Sequence, residues 1–541
     1  MKKTKVLFIV PPSVPIGDLR RTDKPNLQWN TTISVPLGLL SIASYTGKYA
    51  DADYKILDLN LEINEKKDEF NSIKWDKFLM KQLSEFNEGQ RPDIVGISAI
   101  FNSNAGYLNP VSATAKRLWP GVLVVAGGGL PTNMSSYVFD SAPDIDALAI
   151  GEGEKPFTGL VLAGNKQEYL NTARGWMTRE RMISDSSPTM DLVADLDDIP
   201  LLNYDLVDMK KYYKCGRYHG EKESNETSIS IMTSRGCPYR CTFCASHSVH
   251  GHKMRCHSPE YILAAVREAK EKYGTKILLV EDDHFLGHNK NAINILRGIA
   301  QEGMTVEFVS GLSVRHLNEE TVDALKDAGL KMATIAVESG CERVLKEIIR
   351  KPFDLTVVRD AVAMLRKRDM YVRAFFIVGF PGETKEEIME TVRFMKEVGL
   401  NWIAIMIATP TVGSELYEIC RKNNLFISDK LEDFYFGKCN IKLAHSTPEQ
   451  LEELRYLINL EVNFVQNYDL RNGHFGLALT GFLDVINRVP NHAFAYYYAS
   501  ICYRKMGKAD PEKQCMSKFQ EIVDSSKDWS RYAKHFNLDR G

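Results

Sequence analysis

The feature that most constrains this chain is a rhythm that occurs twice. Short apolar runs, each closed by small or polar residues, alternate with longer amphipathic stretches. In residues 1–165 the runs are Lys5–Val10, Tyr54–Leu59, Asp93–Ser98, Val122–Ala126 and Ala147–Ile150, with a helical stretch at Pro36–Tyr45. Continuous apolar strands separated by helices predict a parallel sheet covered on both faces, of flavodoxin-like or Rossmann-like type. In residues 227–410 the runs are Ser228–Thr233, Lys276–Glu281, Val306–Ser310, Met332–Val337, Val372–Val378 and Trp402–Ala408. Helices fit between them at Pro259–Tyr273, Asn291–Gln301, Glu319–Ala328, Leu355–Arg368 and Lys385–Val398. Six strands and five helices predict a partial (β/α) barrel. Both architectures bind ligands at the C-terminal ends of their strands.

The rest of the chain is less regular. Residues 166–226 read as a linker, with Ser184–Thr189 and Gly220–Asn225 loop-like and Asp195–Pro200 acidic. Residues 411–541 read as mainly helical. From about Gly473 the small and apolar positions become regular, and Gly473 to Gly507 spans 34 residues, the tetratricopeptide period. One and a half such units predict a helical cap on the barrel, with a protein-docking surface as the alternative.

Charge and cysteine usage exclude several classes. Lys plus Arg is 68 against 70 for Asp plus Glu, so the basic footprint of a nucleic-acid binder is missing. No apolar run approaches the ~18 residues of a membrane span. The Met1–Lys5 start runs straight into a strand, without the apolar core of a secretory signal. Ten Cys in 541 residues are too few for a disulfide scaffold, which predicts a reducing, cytoplasmic location. Clustered Cys are then metal ligands or catalytic groups. Seven Cys are scattered singly and read as small buried hydrophobes, but Cys237, Cys241 and Cys244 fall within eight residues, just after the first barrel strand. Three thiolates suit zinc, with His247 as a fourth ligand, or an iron–sulfur cluster. A four-Cys cluster would need one more Cys, and none is near.

Cys237-x3-Cys241-x2-Cys244, with Phe243 before the last Cys, resembles the signature of the radical S-adenosylmethionine (SAM) family. Further family-like motifs follow in order: Glu281-Asp282-Asp283-His284, Ser310 and Arg315, Ala336-Val337-Glu338-Ser339-Gly340, and Gly379-Phe380-Pro381-Gly382-Glu383. The resemblance implies a 4Fe-4S cluster held by the three Cys, whose open iron chelates SAM. It implies SAM contacts at Glu338, Arg315, Ser310, Asp282 (or Asp283) and Phe243. Residues 1–165 resemble the cobalamin-binding domain that precedes the barrel in one class of that family. The implied cobalamin contacts are Pro12, Ser13, Ser98, Asn102, Gly127, Gly128, Gly151 and Glu152. This domain has no His, so no imidazole in it can ligate cobalt, whose lower face is expected near Ile100–Asn104. The string Asp282-Asp-His284-Phe-Leu-Gly287 matches a cobalt-ligating motif but lies in the barrel, and it reads as coincidence.

The resemblance implies a cobalamin-dependent radical SAM methyltransferase that moves a methyl group from methylcobalamin to an unactivated carbon of a small biosynthetic intermediate. The 5′-deoxyadenosyl radical first removes hydrogen from that carbon. The alternatives are a non-methylating relative (oxidative cyclisation, ring contraction or rearrangement) and a cofactor-carrying module without chemistry of its own. Expected partners are a small-molecule substrate and a low-potential donor such as flavodoxin or ferredoxin, with no membrane or nucleic acid. Catalytic side chains beyond the cofactor contacts are not readable from the sequence.

Overall fold

The computed structural model describes residues 3–19, 33–184, 189–215, 227–434 and 438–538. Gly220–Asn225 and most of Ser184–Thr189 lie outside them. The N-terminal unit is a six-stranded sheet: β1 (Thr4–Val10), β2 (Ala52–Asp58), β3 (Ile94–Ser98), β4 (Leu123–Gly127), β5 (Ala147–Ala149) and β6 (Trp176–Met177). Its order is β2-β1-β3-β4-β5-β6, with all neighbours parallel except the last pair. The five parallel strands are those expected from the sequence, and their observed 2-1-3-4-5 order is that of flavodoxin-like rather than Rossmann-like sheets. The sequence does not expect β6, which comes from the presumed linker. Trp176 is fully buried and its indole donates to the Pro156 carbonyl, so this stretch belongs to the sheet's core.

The second unit begins with β7 (Ser228–Ile231), then a short hairpin of β8 (Ser234–Arg235) and β9 (Arg255–Cys256). The remaining strands are β10 (Ile277–Val280), β11 (Thr305–Phe308), β12 (Met332–Glu338), β13 (Tyr371–Val378) and β14 (Trp402–Ile407). Two parallel three-stranded sheets, β11-β10-β7 and β12-β13-β14, are joined by a parallel bridge between Leu312 and Ile335. Together they make the six-stranded partial barrel expected. Burial alternates along β13: Val372, Ala374 and Phe376 are buried, Phe376 against Phe394 of the following helix, while Tyr371, Arg373 and Phe375 are half-buried.

Beyond β14 the chain crosses back. Leu431 and Phe434 pack into the core of the N-terminal sheet, so residues after 410 tie the two units together. Helix Pro448–Leu460 then packs on β14, and Phe464 meets Trp402 at 5.6 Å. Helices Phe475–Arg488, Ala493–Lys505, Ala509–Ser525 and Lys527–His535 complete a separate aromatic core around Phe482, Phe494 and Trp529. This is the helical cap, continuous with the barrel wall. No helix among the described residues is long and apolar enough to cross a membrane.

Candidate functional site

The C-terminal ends of the two sheets face each other across a cavity of about 590 Å³. On the N-terminal side the loops are stitched by their own polar groups. Asn60 accepts from Ser13 N–H (2.9 Å) and donates to the Pro11 carbonyl (3.2 Å). Asn104 donates to the Pro12 carbonyl (2.8 Å), and Ser103 to that of Ser13 (2.7 Å). These bonds leave a smooth floor of backbone and small side chains. Gly128 has φ +111° and ψ −171°, a region essentially restricted to glycine. A Cβ there would come within 2.6 Å of the Ala99 carbonyl oxygen. Ser13, Ser98, Gly127, Gly128 and Gly151 line the cavity. Ile100 and Phe101 also line it, 56% and 48% exposed, an apolar wall that a large, partly apolar ring system would cover.

Three expected contacts do something else. Pro12 is off the cavity wall, its carbonyl occupied by Asn104. Asn102 is also off the wall and spans to the barrel: it donates to the Pro410 carbonyl and accepts from Val412 N–H, both at 3.2 Å. Glu152 lines the cavity, but its carboxylate is taken up by Arg255, Arg235 and His250. Burial alone would raise the Glu152 pKa, yet those three neighbours hold it well below the usual carboxylate range.

On the barrel side, the cysteine loop connects β8 to β9. Asp282 fixes its entry, accepting from Thr233 N–H, Thr233 Oγ1 and Ser234 Oγ, each at 2.6 Å. Burial pushes the Asp282 pKa up to about 6 against those bonds. Asp282 therefore faces the strand rather than a ligand. Its neighbour Asp283 is exposed on the cavity wall and accepts from Gly236 N–H (3.1 Å). Cys237, Cys241 and Cys244 follow as half-buried free thiols. Burial raises all three pKa values, that of Cys244 to about 11, so thiolates there need a compensating positive charge. Thr242 anchors the loop through its N–H to Ile349 O (3.1 Å) and its hydroxyl to Ile348 O (2.7 Å). Phe243 packs against Phe380 at 6.4 Å.

Glu338 ends β12 at a bulge, with φ +74°, a conformation uncommon outside glycine. Its buried carboxylate lies 3.2 Å from Lys351 Nζ, whose side chain is only 12% exposed. Burial would strip the Lys351 proton, but Glu338 and Cys241 outweigh it and raise the pKa. Lys351 is thus a fixed cation beside the thiols, and no sequence motif marks it. Ser310 is exposed after β11. Arg315 is exposed on the rim, where it donates to the Pro352 carbonyl (3.1 Å), next to Lys351 in sequence. Among the described residues, no three His, Cys, Asp or Glu side chains converge as for one metal ion. Three thiols spread over a loop fit a cluster in which each binds a different iron better than they fit a single zinc.

Comparison with known proteins matches these two units separately. Residues 231–395 match the Radical SAM superfamily and residues 31–161 the B12 binding domain. An uncharacterized methyltransferase of Pyrococcus horikoshii is 32% identical over 456 residues, 84% of this chain and 91% of the relative. Cytidylyl-2-hydroxyethylphosphonate methyltransferase of Streptomyces wedmorensis is 28% identical over 440 residues, 75% of this chain and 80% of the relative. The cobalamin-dependent S-adenosylmethionine radical enzyme OxsB, in its structure with aqua-cobalamin and S-adenosylmethionine, superposes with a TM-score of 0.66 at 14% identity, covering 99% of this chain and 80% of OxsB.

Proposed function

We propose, from the premise that this chain belongs to the cobalamin-binding class of the radical SAM superfamily, that it transfers a methyl group from SAM by way of cobalamin to an unactivated carbon of a small molecule. The observation that carries the reading is the cavity between the two sheets, with the glycine floor on one side and the cysteine loop on the other. When bound, the cluster held by Cys237, Cys241 and Cys244 would supply one electron to SAM, and cobalamin on the floor would supply the methyl carrier.

Each wall of the site has its task. Cys237, Cys241 and Cys244 would hold the cluster, and Lys351 would offset their negative charge. Glu338, with two acceptor oxygens and Lys351 Nζ 3.2 Å away, would take the hydroxyl or ammonium donors of SAM. Asp283 and the rim residues Ser310 and Arg315 would orient SAM or the substrate. The floor from Ser13, Ser98, Gly127, Gly128 and Gly151 would hold cobalamin by shape, with no imidazole to ligate cobalt. Ile100 and Phe101 would exclude water beneath the ring. A low-potential donor of the flavodoxin or ferredoxin kind would deliver electrons in a cytoplasmic setting. The helical cap after Gly473 would serve as the barrel's wall, with partner docking as a secondary use.

The test is an anaerobic incubation with reductant, cobalamin and methyl-labelled SAM. The expected result is 5′-deoxyadenosine and S-adenosylhomocysteine together, with label on cobalamin. Deoxyadenosine alone, with no S-adenosylhomocysteine and no transferred label, would refute methyl transfer and leave cyclisation or rearrangement.

A further inference from the structure

Glu152 lies in the loop after β5 of the N-terminal sheet and Glu154 opens the helix that follows, with side chains 1% and 3% exposed. Their partners all belong to the second unit or to the helix beside the loop. Arg255 donates to both oxygens of Glu152, at 2.9 and 2.5 Å. Arg235 reaches Glu154 at 2.7 Å and Glu152 at 3.4 Å. His250 Nδ1 lies 2.8 Å from Glu152, and Ser41 donates to Glu154 at 2.5 Å.

The place of the two arginines gives this network its meaning. Arg235 and Arg255 are a directly opposed pair on β8 and β9. Everything between them is the cysteine loop, so they form its base. Gly236, the next residue, has φ +84°, and a Cβ there would press within 2.7 Å of the Lys253 carbonyl oxygen. The loop is therefore closed tightly just above the pair. Forked guanidinium–carboxylate contacts fix direction as well as distance. Buried charges of this kind are poor sources of net stability but good determinants of a unique arrangement.

We infer that Glu152 and Glu154 are positioning residues that clamp the base of the cysteine loop to the N-terminal sheet and so set the separation and orientation of the two cofactors. This rests on the function proposed above. It replaces direct cobalamin contact as the task of Glu152. Both carboxylates are taken up by these partners, so each acts through Arg235 and Arg255 on the cysteines beyond them.

The test uses the full chain and two readouts. Hydrogen exchange needs no cofactor: in Glu152→Gln/Glu154→Gln, amides of residues 236–254 should exchange about tenfold faster or more, while those of helix Pro259–Tyr273 keep their protection. The second readout is magnetic, in protein loaded with cluster and cobalamin and reduced until both are paramagnetic. Their dipolar coupling falls with the cube of their distance, and it should weaken or broaden in the variant at wild-type iron and cobalamin content. Unchanged loop exchange, or unchanged coupling with both cofactors retained, overturns the clamp. Arg255→Lys keeps the charge and loses the fork. It should shift both readouts in the same direction by less, and it serves if the double variant folds poorly. A wild-type chain that takes up neither cofactor would refute the function, and the exchange readout would still decide the clamp.

Discussion

The two halves of the site solve one problem in opposite ways. Both place loops at the C-terminal ends of parallel strands, yet the N-terminal floor is made of glycine, small hydroxyl groups and amides, whereas the barrel's strand ends and cysteine loop carry thiols, carboxylates and a lysine, of which Glu281 and Asp283 line the cavity. The floor's polar groups bond mainly to one another, as Asn60 and Asn104 do with the Pro11–Ser13 carbonyls and amides. The barrel's remain as charges in a low-dielectric setting, as Glu338 and Lys351 do. A large ligand with its own metal needs shape, whereas a cluster built in place needs ligands and charge balance. The difference teaches that substitutions on the floor should act through space and backbone strain, and those on the wall through electrostatics.

The largest effect expected is on the wall. Cys241→Ala should abolish iron and sulfide binding and all deoxyadenosine formation, while the N-terminal unit still binds cobalamin. Metal analysis and product assay together check it, and loss of cobalamin binding as well would break the proposed independence of the two walls. Next comes Lys351→Met, which leaves Glu338 buried without its partner. Removing one member of a buried pair costs about 3–5 kcal/mol, read as a lower unfolding midpoint in urea. Adding Glu338→Gln should recover much of that stability without recovering deoxyadenosine formation.

How much of this could be read beforehand follows the same division. The barrel's six strands, its five helices and the cysteine loop are local patterns, and they stand where the sequence puts them. The same holds for the glycine floor, because positive φ at Gly128 and Gly151 is a property of single residues. What the sequence could not give are pairings across long separations. Glu152 meets Arg255 from 103 residues away, and Asn102 meets Val412 from 310. Lys351 had no periodicity to mark it, and it became visible only once the β12 bulge turned Glu338 toward it. Asp282 and Asp283 are adjacent and chemically alike, both just past the end of β10; the bonds that Thr233 and Ser234 give to Asp282 turn it away and leave Asp283 on the cavity. The stretch read as linker held β6, two residues too short to leave a pattern.

A floor substitution sharpens the comparison from the other side. Gly128→Ala puts an L side chain at φ +111° and a Cβ against the Ala99 carbonyl. Strain of that kind costs about 1–3 kcal/mol. Cobalamin affinity should fall correspondingly, by about tenfold to a hundredfold. Cluster content and its absorption spectrum should not change. A titration of the apo protein with cobalamin, before and after the substitution, measures the first. Iron analysis of the same samples measures the second, and a loss of iron there would show that the floor also supports the wall.

The smallest effect concerns a carboxyl group behind the wall. Glu383 closes the loop after β13, is 4% exposed, and accepts Gly379 N–H at 2.6 Å and Phe380 N–H at 3.1 Å through Oε2. Among the described residues its other oxygen has no hydrogen-bond partner. Burial pushes its pKa up to about 7 against those two amide bonds. A folded pKa above the unfolded value means that folding favours the protonated form. The stability from this group is therefore complete below about 4.5 and is lost as pH rises through about 7. Glu383→Gln keeps an acceptor for the two amides and carries no charge at any pH. Wild type and variant should be nearly equally stable near pH 5, and the variant should gain about 2–3 kcal/mol by pH 8. Urea unfolding at the two pH values reads the difference directly. A variant that is less stable at pH 8 would mean that the ionised carboxylate is wanted there. The barrel wall would then rely on buried negative charge even where no ligand meets it.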